Sequence, residues 1–173
     1  MTTIPNPEKC LRLLREVGCS KEVIRHCMAV RKIAVRIAKK AHADISLVEA
    51  GALLHDIGRS KTQGITHGIE GAKIAIELGL PSSIVNIIER HLGAGIPSEE
   101  AVALGLPVKD YMPLTIEEKI VAHADNLIDN DREHPIEKEV QKALKKGHTK
   151  HAERLMQLHR ELSQRCGMDI NNI

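Results

Sequence analysis

Residues 52–61 read ALLHDIGRSK, and this stretch ends an apolar helical pattern with two polar side chains, His55 and Asp56. The apolar residues before them recur at three- and four-residue steps, which indicates a helix facing a core. An isolated carboxylate in such a place costs several kcal/mol unless it is paired or binds a metal ion. The stretch therefore predicts both a helical fold and a polar site inside it.

The same helical period continues through nearly the whole chain, and no segment longer than a few residues alternates as a half-buried strand would. Ser20 is expected to cap a long helix, whose buried seam is Val23, Cys27, Val30, Ala34, Ile37 and Ala41. Capping boxes predict the starts of two further helices, at Ser46 with Glu49 and at Thr115 with Glu118. Other helices are predicted over residues 7–17, 66–78, 81–93, 98–104, 135–147 and 149–165. We expect an all-α fold, a compact bundle of about seven to nine helices formed by one domain over residues 1–173.

The composition is that of a globular protein with an aliphatic core. Apolar residues make up 42% of the 173 residues, with one Tyr, no Phe and no Trp. The net charge of +2 is too small to predict binding of a nucleic acid polymer or an acidic membrane. The four cysteines lack the paired spacing of a zinc knuckle, and no apolar run reaches the ~20 residues of a membrane span. We expect a cytoplasmic protein with reduced thiols.

Further polar residues fall beside apolar helix positions elsewhere in the chain. His26 and His91 flank apolar faces, and Asp125 lies four residues after Val121. His67 begins the helix that follows His55 and Asp56, the HD pair. A single histidine in such a place is more often a satisfied core residue than a ligand. Four histidines and two carboxylates together favour a divalent metal site, because imidazole and carboxylate are its usual ligands. The other histidines, including His123 and His159, are expected at the surface or in support of this site.

The order of His26, then His55 and Asp56, then Asp125 resembles the HD superfamily of metal-dependent phosphohydrolases, and ALLHDIGRSK looks like its central signature. The additional His67 and His91, within HGIEGAKIA and the RH pair at 90 and 91, resemble the dinuclear branch containing symmetrical dinucleoside-tetraphosphate hydrolases. EKIVAHADNLID, residues 118–129, points to the same branch. The resemblance covers about residues 20–132, and the C-terminal helices over residues 135–166 lie outside it.

The resemblance implies a ligand set and a reaction. His26, His55, Asp56 and Asp125 would bind one divalent transition metal ion, and Asp56 would bridge to a second ion held by His67 and His91. Such ligands favour Fe or Mn, with Co, Ni or Zn also compatible. A water between the two ions would be deprotonated near neutral pH and aimed at phosphorus. The implied reaction is hydrolysis of a phosphoester or phosphoanhydride bond in a nucleotide or another small phosphorylated metabolite.

Basic residues near this signature are candidates for substrate binding. Arg59 and Lys61 follow the HD pair, where a loop could bring their cations to a phosphate, although a solvated basic turn is the alternative. Arg132 is a further candidate contact. We expect His55, Asp56 and Arg59 to act in catalysis. Residues 93–114, rich in glycine and proline, are expected to form a flap over the site, and the sequence leaves a homodimer open.

Three other interpretations remain open at this point. A mononuclear HD enzyme that removes phosphate from nucleoside monophosphates would bind one ion. An HD-type di-iron oxygenase would lose its activity without oxygen. A non-catalytic sensor would bind a nucleotide without turning it over.

Overall fold

The computed structural model of the chain describes residues 3–173. Within that range it contains nine α-helices, two short 3₁₀ turns and one two-stranded hairpin. The helices are α1 (Pro7–Glu16), α2 (Lys21–Ala41), α3 (Ile45–Leu54), α4 (His67–Glu77), α5 (Ser82–Glu89), α6 (Ser98–Ala103), α7 (Ile116–Asn126), α8 (Ile136–Lys145) and α9 (Thr149–Cys166). The 3₁₀ turns cover Ile57–Ser60 and Ile170–Asn172, and the hairpin pairs β1 (Ile128–Asp129) with β2 (Arg132–Glu133). The predicted all-α bundle is confirmed.

Helix α2 is central, because it packs against α3, α7 and α9. The Ser20 hydroxyl caps it as predicted by accepting a hydrogen bond from the Val23 N–H at 3.2 Å. The predicted seam is buried, fully so from Cys27 to Ala41 and partly at Val23. Fully burying one such aliphatic side chain stabilises a fold by about 1.5–3 kcal/mol. The seam therefore fixes the face of α2 that meets the other helices.

The core is aliphatic, as the composition predicts. One cluster of buried residues joins α2 to α7, α8 and α9, and a second joins α1 to α3, α4 and α5. Leu47 on α3 packs against both clusters. The helices that carry the candidate ligands are therefore held together by continuous apolar packing. No helix within residues 3–173 combines the length and apolarity needed to cross a lipid bilayer.

Three local predictions differ from the structure. The N-cap of helix α3 is Asp44, two residues before the predicted cap Ser46, because the Asp44 carboxylate accepts from the Leu47 N–H at 3.0 Å. Glu49 binds Arg31 instead of closing a box at Ser46. Helix α5 ends at Glu89 and not at residue 93. The hairpin after α7 was not predicted, since its strands are only two residues long.

Residues 93–114 form a small folded unit. It contains α6, the predicted short helix, and an isolated bridge between Ile96 and Tyr111. Its own buried cluster of Ile96, Ala101, Leu106 and Tyr111 packs against Ile69 and Leu92. The expected flap is thus an insert with a separate apolar core.

Candidate metal centre

Side chains from five helical segments meet around Asp56. Asp56 follows α3 and is 3% exposed. Its Oδ1 lies 3.2 Å from His67 Nε2 and 3.4 Å from His91 Nε2. Its Oδ2 lies 3.6 Å from His55 Nε2 and 3.7 Å from His26 Nε2. The two carboxylate oxygens therefore face two different pairs of histidines.

Asp125 on α7 completes the first of these two groups. Its Oδ1 lies 2.9 Å from His26 Nε2 and 3.5 Å from His55 Nε2. The ligand atoms of His26, His55 and Asp125 all lie within 4.8 Å of one another, as do those of His55, Asp56 and His91. The structure thus brings together all the side chains that the sequence analysis names as metal ligands, and their binding of ions stays a prediction.

Each histidine of the centre is held through its outer nitrogen. The Nδ1 atoms of His55, His67 and His91 lie 2.7, 2.8 and 2.6 Å from the carbonyl oxygens three residues earlier in the chain. His26 Nδ1 lies 2.7 Å from the carbonyl oxygen of Asn130. Because a carbonyl oxygen only accepts, each Nδ1 carries a proton, and in its neutral form each ring presents an Nε2 lone pair to the centre. This is the tautomer in which imidazole binds a metal through Nε2.

Several candidate ligand atoms of the centre are buried without a hydrogen-bond partner. His67 Nε2 and His91 Nε2 lie 3.1 Å apart, so two lone pairs face each other in a buried place. His55 Nε2 and Asp56 Oδ1 are also buried and have no hydrogen-bond partner in the described chain. Buried polar atoms without partners are costly, whereas a divalent ion would satisfy these nitrogens and oxygens together. The residues present therefore fit a metal ion.

The electrostatics of the centre also favour a cation. Burial opposes charge on Asp56, but His55, His67 and His91 hold the pKa of this carboxyl well below its usual range. The pKa of Asp125 is likewise lowered, since His55 and His26 outweigh its burial. Burial lowers the pKa of His91, which keeps this ring in its neutral, ligating form. Both carboxylates are anionic at neutral pH, and the site stabilises a positive charge placed between them.

Two close contacts position the helices that carry the ligands. A Cβ atom on Gly58 would lie 1.8 Å from the His67 carbonyl oxygen and 2.5 Å from the Gly71 nitrogen, so α4 packs directly on the backbone after Asp56. Arg90 Nη1 donates to both oxygens of the buried Glu118 carboxylate at 3.0 and 3.1 Å. This ion pair joins the end of α5, next to His91, to the start of α7.

A cavity of about 440 Å³ opens beside this centre. It is lined by Glu22, Val23, Arg25, His26, Asp56, Arg59, Gln63, Asn130 and Asp131. Arg59 Nε donates to Asp56 Oδ2 at 2.9 Å, which places its guanidinium between the centre and the cavity. Arg25 is a second cation in the lining, and the sequence analysis missed it because its position follows from tertiary packing alone.

The remaining predicted substrate residues lie outside this cavity. Lys61 is exposed and is not part of the lining. Arg132 is exposed on β2 and lines a different surface depression with Asp129 and His134. No residue of the insert 93–114 lines the cavity either. Of the three predicted phosphate contacts, the structure brings only Arg59 to the candidate site.

A second histidine pair lies apart from the centre. His123 Nε2 and His159 Nδ1 are 2.9 Å apart, and His159 Nε2 lies 2.9 Å from an oxygen of Asp169. Both rings are buried, so the expectation of a surface position is wrong for His159, whose charged neighbours in sequence conceal an inward-facing side of α9. This pair ties α7 to α9 and to the C-terminal turn. Asn126, which follows Asp125, donates from its side chain to the Gly93 carbonyl at 2.9 Å and so joins the end of α7 to the segment after His91.

Comparison with known proteins assigns the family. A sequence profile of the HD domain matches residues 23–130, more than half of the chain. The chain belongs to the HD domain family. Membership of this family implies divalent metal binding, which agrees with the histidine and aspartate cluster. It supports a metal-dependent hydrolase in general and leaves the predicted tetraphosphate-hydrolase branch untested.

Several relatives of this HD chain are known. It is 51% identical over 170 residues to a Thermoplasma volcanium protein named tRNA (cytidine(56)-2'-O)-methyltransferase, with 98% of this chain and 50% of the relative covered. The HD chain therefore spans about half the length of that relative. It is also 50% identical to an uncharacterized protein of Methanocaldococcus jannaschii over 149 residues, which cover 82% of this chain and 88% of the relative.

A solved structure shows the same fold. The HD domain of the L. monocytogenes phosphodiesterase PgpH, in complex with cyclic-di-AMP, superposes on the HD chain with a TM-score of 0.60 at 17% identity. The superposition covers 85% of this chain and 92% of that domain. At this identity the likeness establishes the shared fold and nothing about the ligand.

Proposed function

We propose that the HD chain is a metal-dependent phosphohydrolase that cleaves a phosphoester or phosphoanhydride bond of a nucleotide or another small phosphorylated compound. One observation carries the proposal: Asp56 presents its two oxygens to two separate histidine groups at the edge of a cavity that contains arginine. Carboxylate-bridged ions beside a cavity that contains the guanidinium groups of Arg25 and Arg59 suit attack on phosphorus.

The two groups account for two ions. His26, His55, Asp56 and Asp125 would hold one, and Asp56, His67 and His91 the other. Bound divalent ions of this kind lower the pKa of water and neutralise charge on phosphoryl oxygens. Nitrogen and carboxylate ligands of this composition suit Fe or Mn, and Co, Ni or Zn are compatible.

The protein's own groups would bind and orient the phosphate. Arg59 is 29% exposed at its side chain. Its Nε donates to Asp56 and its Nη1 to the Gln63 carbonyl at 3.3 Å, and these two bonds hold the guanidinium in the lining of the cavity. Arg25 lines the same cavity. Guanidinium groups pair well with phosphate oxygens through parallel hydrogen bonds, and we assign phosphate binding to these two residues. A cavity of about 440 Å³ suits a nucleotide-sized ligand.

The relatives favour a second candidate within the same chemistry, a phosphodiester bond in RNA or in a short RNA fragment. The chain is 51% identical to half of a protein named as a tRNA methyltransferase. The HD match and the ligand cluster favour hydrolysis, rather than methyl transfer, for this part of the chain.

The test is a metal analysis of anaerobically purified protein, followed by a hydrolysis screen with Mn, Fe, Co, Ni and Mg. Substrates are nucleoside mono-, di- and triphosphates, dinucleoside polyphosphates, cyclic dinucleotides and short oligoribonucleotides. We expect about two bound transition-metal ions per chain and metal-dependent cleavage of at least one class. Protein that holds both ions and cleaves none of them would contradict the proposal. Turnover that requires oxygen would indicate the oxygenase, and one ion per chain the mononuclear phosphatase.

A further inference from the structure

His26 differs from the other three histidines of the centre in what holds its ring. His55, His67 and His91 each donate from Nδ1 to a carbonyl three residues earlier, so each is oriented within its own turn. His26 Nδ1 instead donates to the carbonyl of Asn130, which lies 104 residues away in the chain, at 2.7 Å. The orientation of His26 therefore depends on a segment outside its helix.

That segment is the turn between β1 and β2. Asn130 is exposed and has a left-handed backbone with φ of 58°. Within residues 3–173, His42 is the only other non-glycine residue with positive φ, at 56°. Asparagine adopts this region more readily than most residues, whereas a β-branched residue is strained there. The direction of the Asn130 carbonyl thus follows from a backbone conformation that the residue type permits.

We propose that Asn130 is a positioning residue for the metal centre: its left-handed turn aims the backbone carbonyl at His26 Nδ1 and so sets the affinity of the ion held by His26, His55 and Asp125. The inference rests on the metal centre of the proposed function, but concerns the binding of the ion and not the reaction. A partner behind a ligating imidazole fixes the orientation of the ring, and its loss typically lowers metal affinity ~10–100-fold.

His26 belongs to only one of the two ligand groups, so its orientation should affect only one of the two ions. The ring of His26 has its Nε2 2.9 Å from Asp125 and 3.7 Å from Asp56, both on the side of the first group. His67 and His91 keep their local carbonyl partners whatever the hairpin does. A change in the hairpin turn should therefore weaken one ion and leave the other in place.

Two substitutions at one position separate backbone from side chain. Asn130→Val introduces a β-branched residue where φ is positive, which displaces the carbonyl. Asn130→Gly removes the side chain but adopts the same left-handed conformation without strain, so the hydrogen bond from His26 to the carbonyl can be kept. His42→Val is the matched control, because it introduces the same strain at an exposed helix end away from the ligands. Asn130→Ala, which is less strained, replaces the valine variant if that variant unfolds more readily than His42→Val.

The measurement is a titration of each metal-free protein with Mn²⁺ alone, followed by the electron paramagnetic resonance signal of free Mn²⁺. For Asn130→Val we expect one of the two Mn²⁺ equivalents to bind at least 10-fold more weakly than in the wild type. Asn130→Gly and His42→Val should stay within about threefold of the wild type. Circular dichroism of the metal-free proteins checks that the helices are intact.

Three results would overturn the inference. The first is wild-type Mn²⁺ affinity in Asn130→Val. The second and third are a loss of Mn²⁺ affinity in Asn130→Gly or in His42→Val as large as the loss in Asn130→Val. The second would assign the effect to the side chain, and the third to strain in general. A wild-type protein that binds no divalent metal would instead refute the metal centre of the proposed function, and the inference with it.

Discussion

Gly58→Ala tests whether the close approach of α4 to the backbone after Asp56 builds the centre. The added Cβ would lie 1.8 Å from the His67 carbonyl oxygen, so the two backbone segments must separate by about 1.2 Å to reach an acceptable 3.0 Å. Backbone atoms cannot rotate away as a side-chain end can. Overpacking of a core typically costs about 1–3 kcal/mol, and we expect ~3 kcal/mol here. For a chain of this size that corresponds to a fall in Tm of roughly 6–12 °C.

The same displacement should also remove the ion held by His67 and His91, because metal–ligand distances tolerate only about 0.2 Å. Urea denaturation of the metal-free protein measures the stability, and Mn²⁺ titration measures the sites. Gly64→Ala is the control in the same loop, since its Cβ would approach nothing closer than 3.5 Å. A Gly58→Ala protein with wild-type stability and two tight Mn²⁺ equivalents would refute this account of the centre.

Three further predictions follow from the site and its surroundings. Asp56→Ala should lose both ions and all hydrolysis, and plasma emission spectrometry showing full metal content with retained turnover would contradict the bridging assignment. Arg59→Ala should raise KM about 10-fold or more with a smaller change in kcat, while Lys61→Ala, outside the cavity, should leave steady-state kinetics unchanged. Burial, and to a smaller extent the neighbouring ring of His159, lowers the pKa of His123 to about 3. Below about pH 6.5 the unfolded chain therefore binds a proton on His123 that the folded chain does not bind, and the folding stability falls as the pH drops from about 6.5 towards 3. Between pH 7 and pH 5 the wild type should lose roughly 2 kcal/mol more than His123→Gln in urea denaturation, and equal losses would exclude this role for His123.

Much of the fold, and the set of candidate ligands, could be predicted from the sequence for a physical reason. The seam of α2 and the Ser20 cap are local patterns, and local patterns determine helices. The ligands were recognisable because a carboxylate such as Asp56 in a buried helical position requires a partner. The residue types and their spacing were therefore enough to predict these features.

The remaining features depend on tertiary packing or on backbone atoms. Asp44 and Ser46 are both good caps two residues apart, and the sequence pattern did not rank them. Arg25 reaches the cavity only through the packing of α2 beside the hairpin. The carbonyl of Asn130 has no residue-type signal at all, since every residue has one. The sequence thus predicted the side chains that meet at the candidate metal centre, but not the groups that surround them.

The one aromatic side chain of the chain lies in the insert, where Tyr111 is 2% exposed and its hydroxyl donates to the Pro107 carbonyl at 2.9 Å. Tyrosine fluorescence therefore reports on residues 93–114 without any background from the bundle, whose unfolding is followed by far-ultraviolet circular dichroism. If the insert and the bundle unfold as one cooperative unit, the two melting curves coincide. Separate curves would mean that the insert, with its own apolar core, melts independently of the helices that hold the metal ligands.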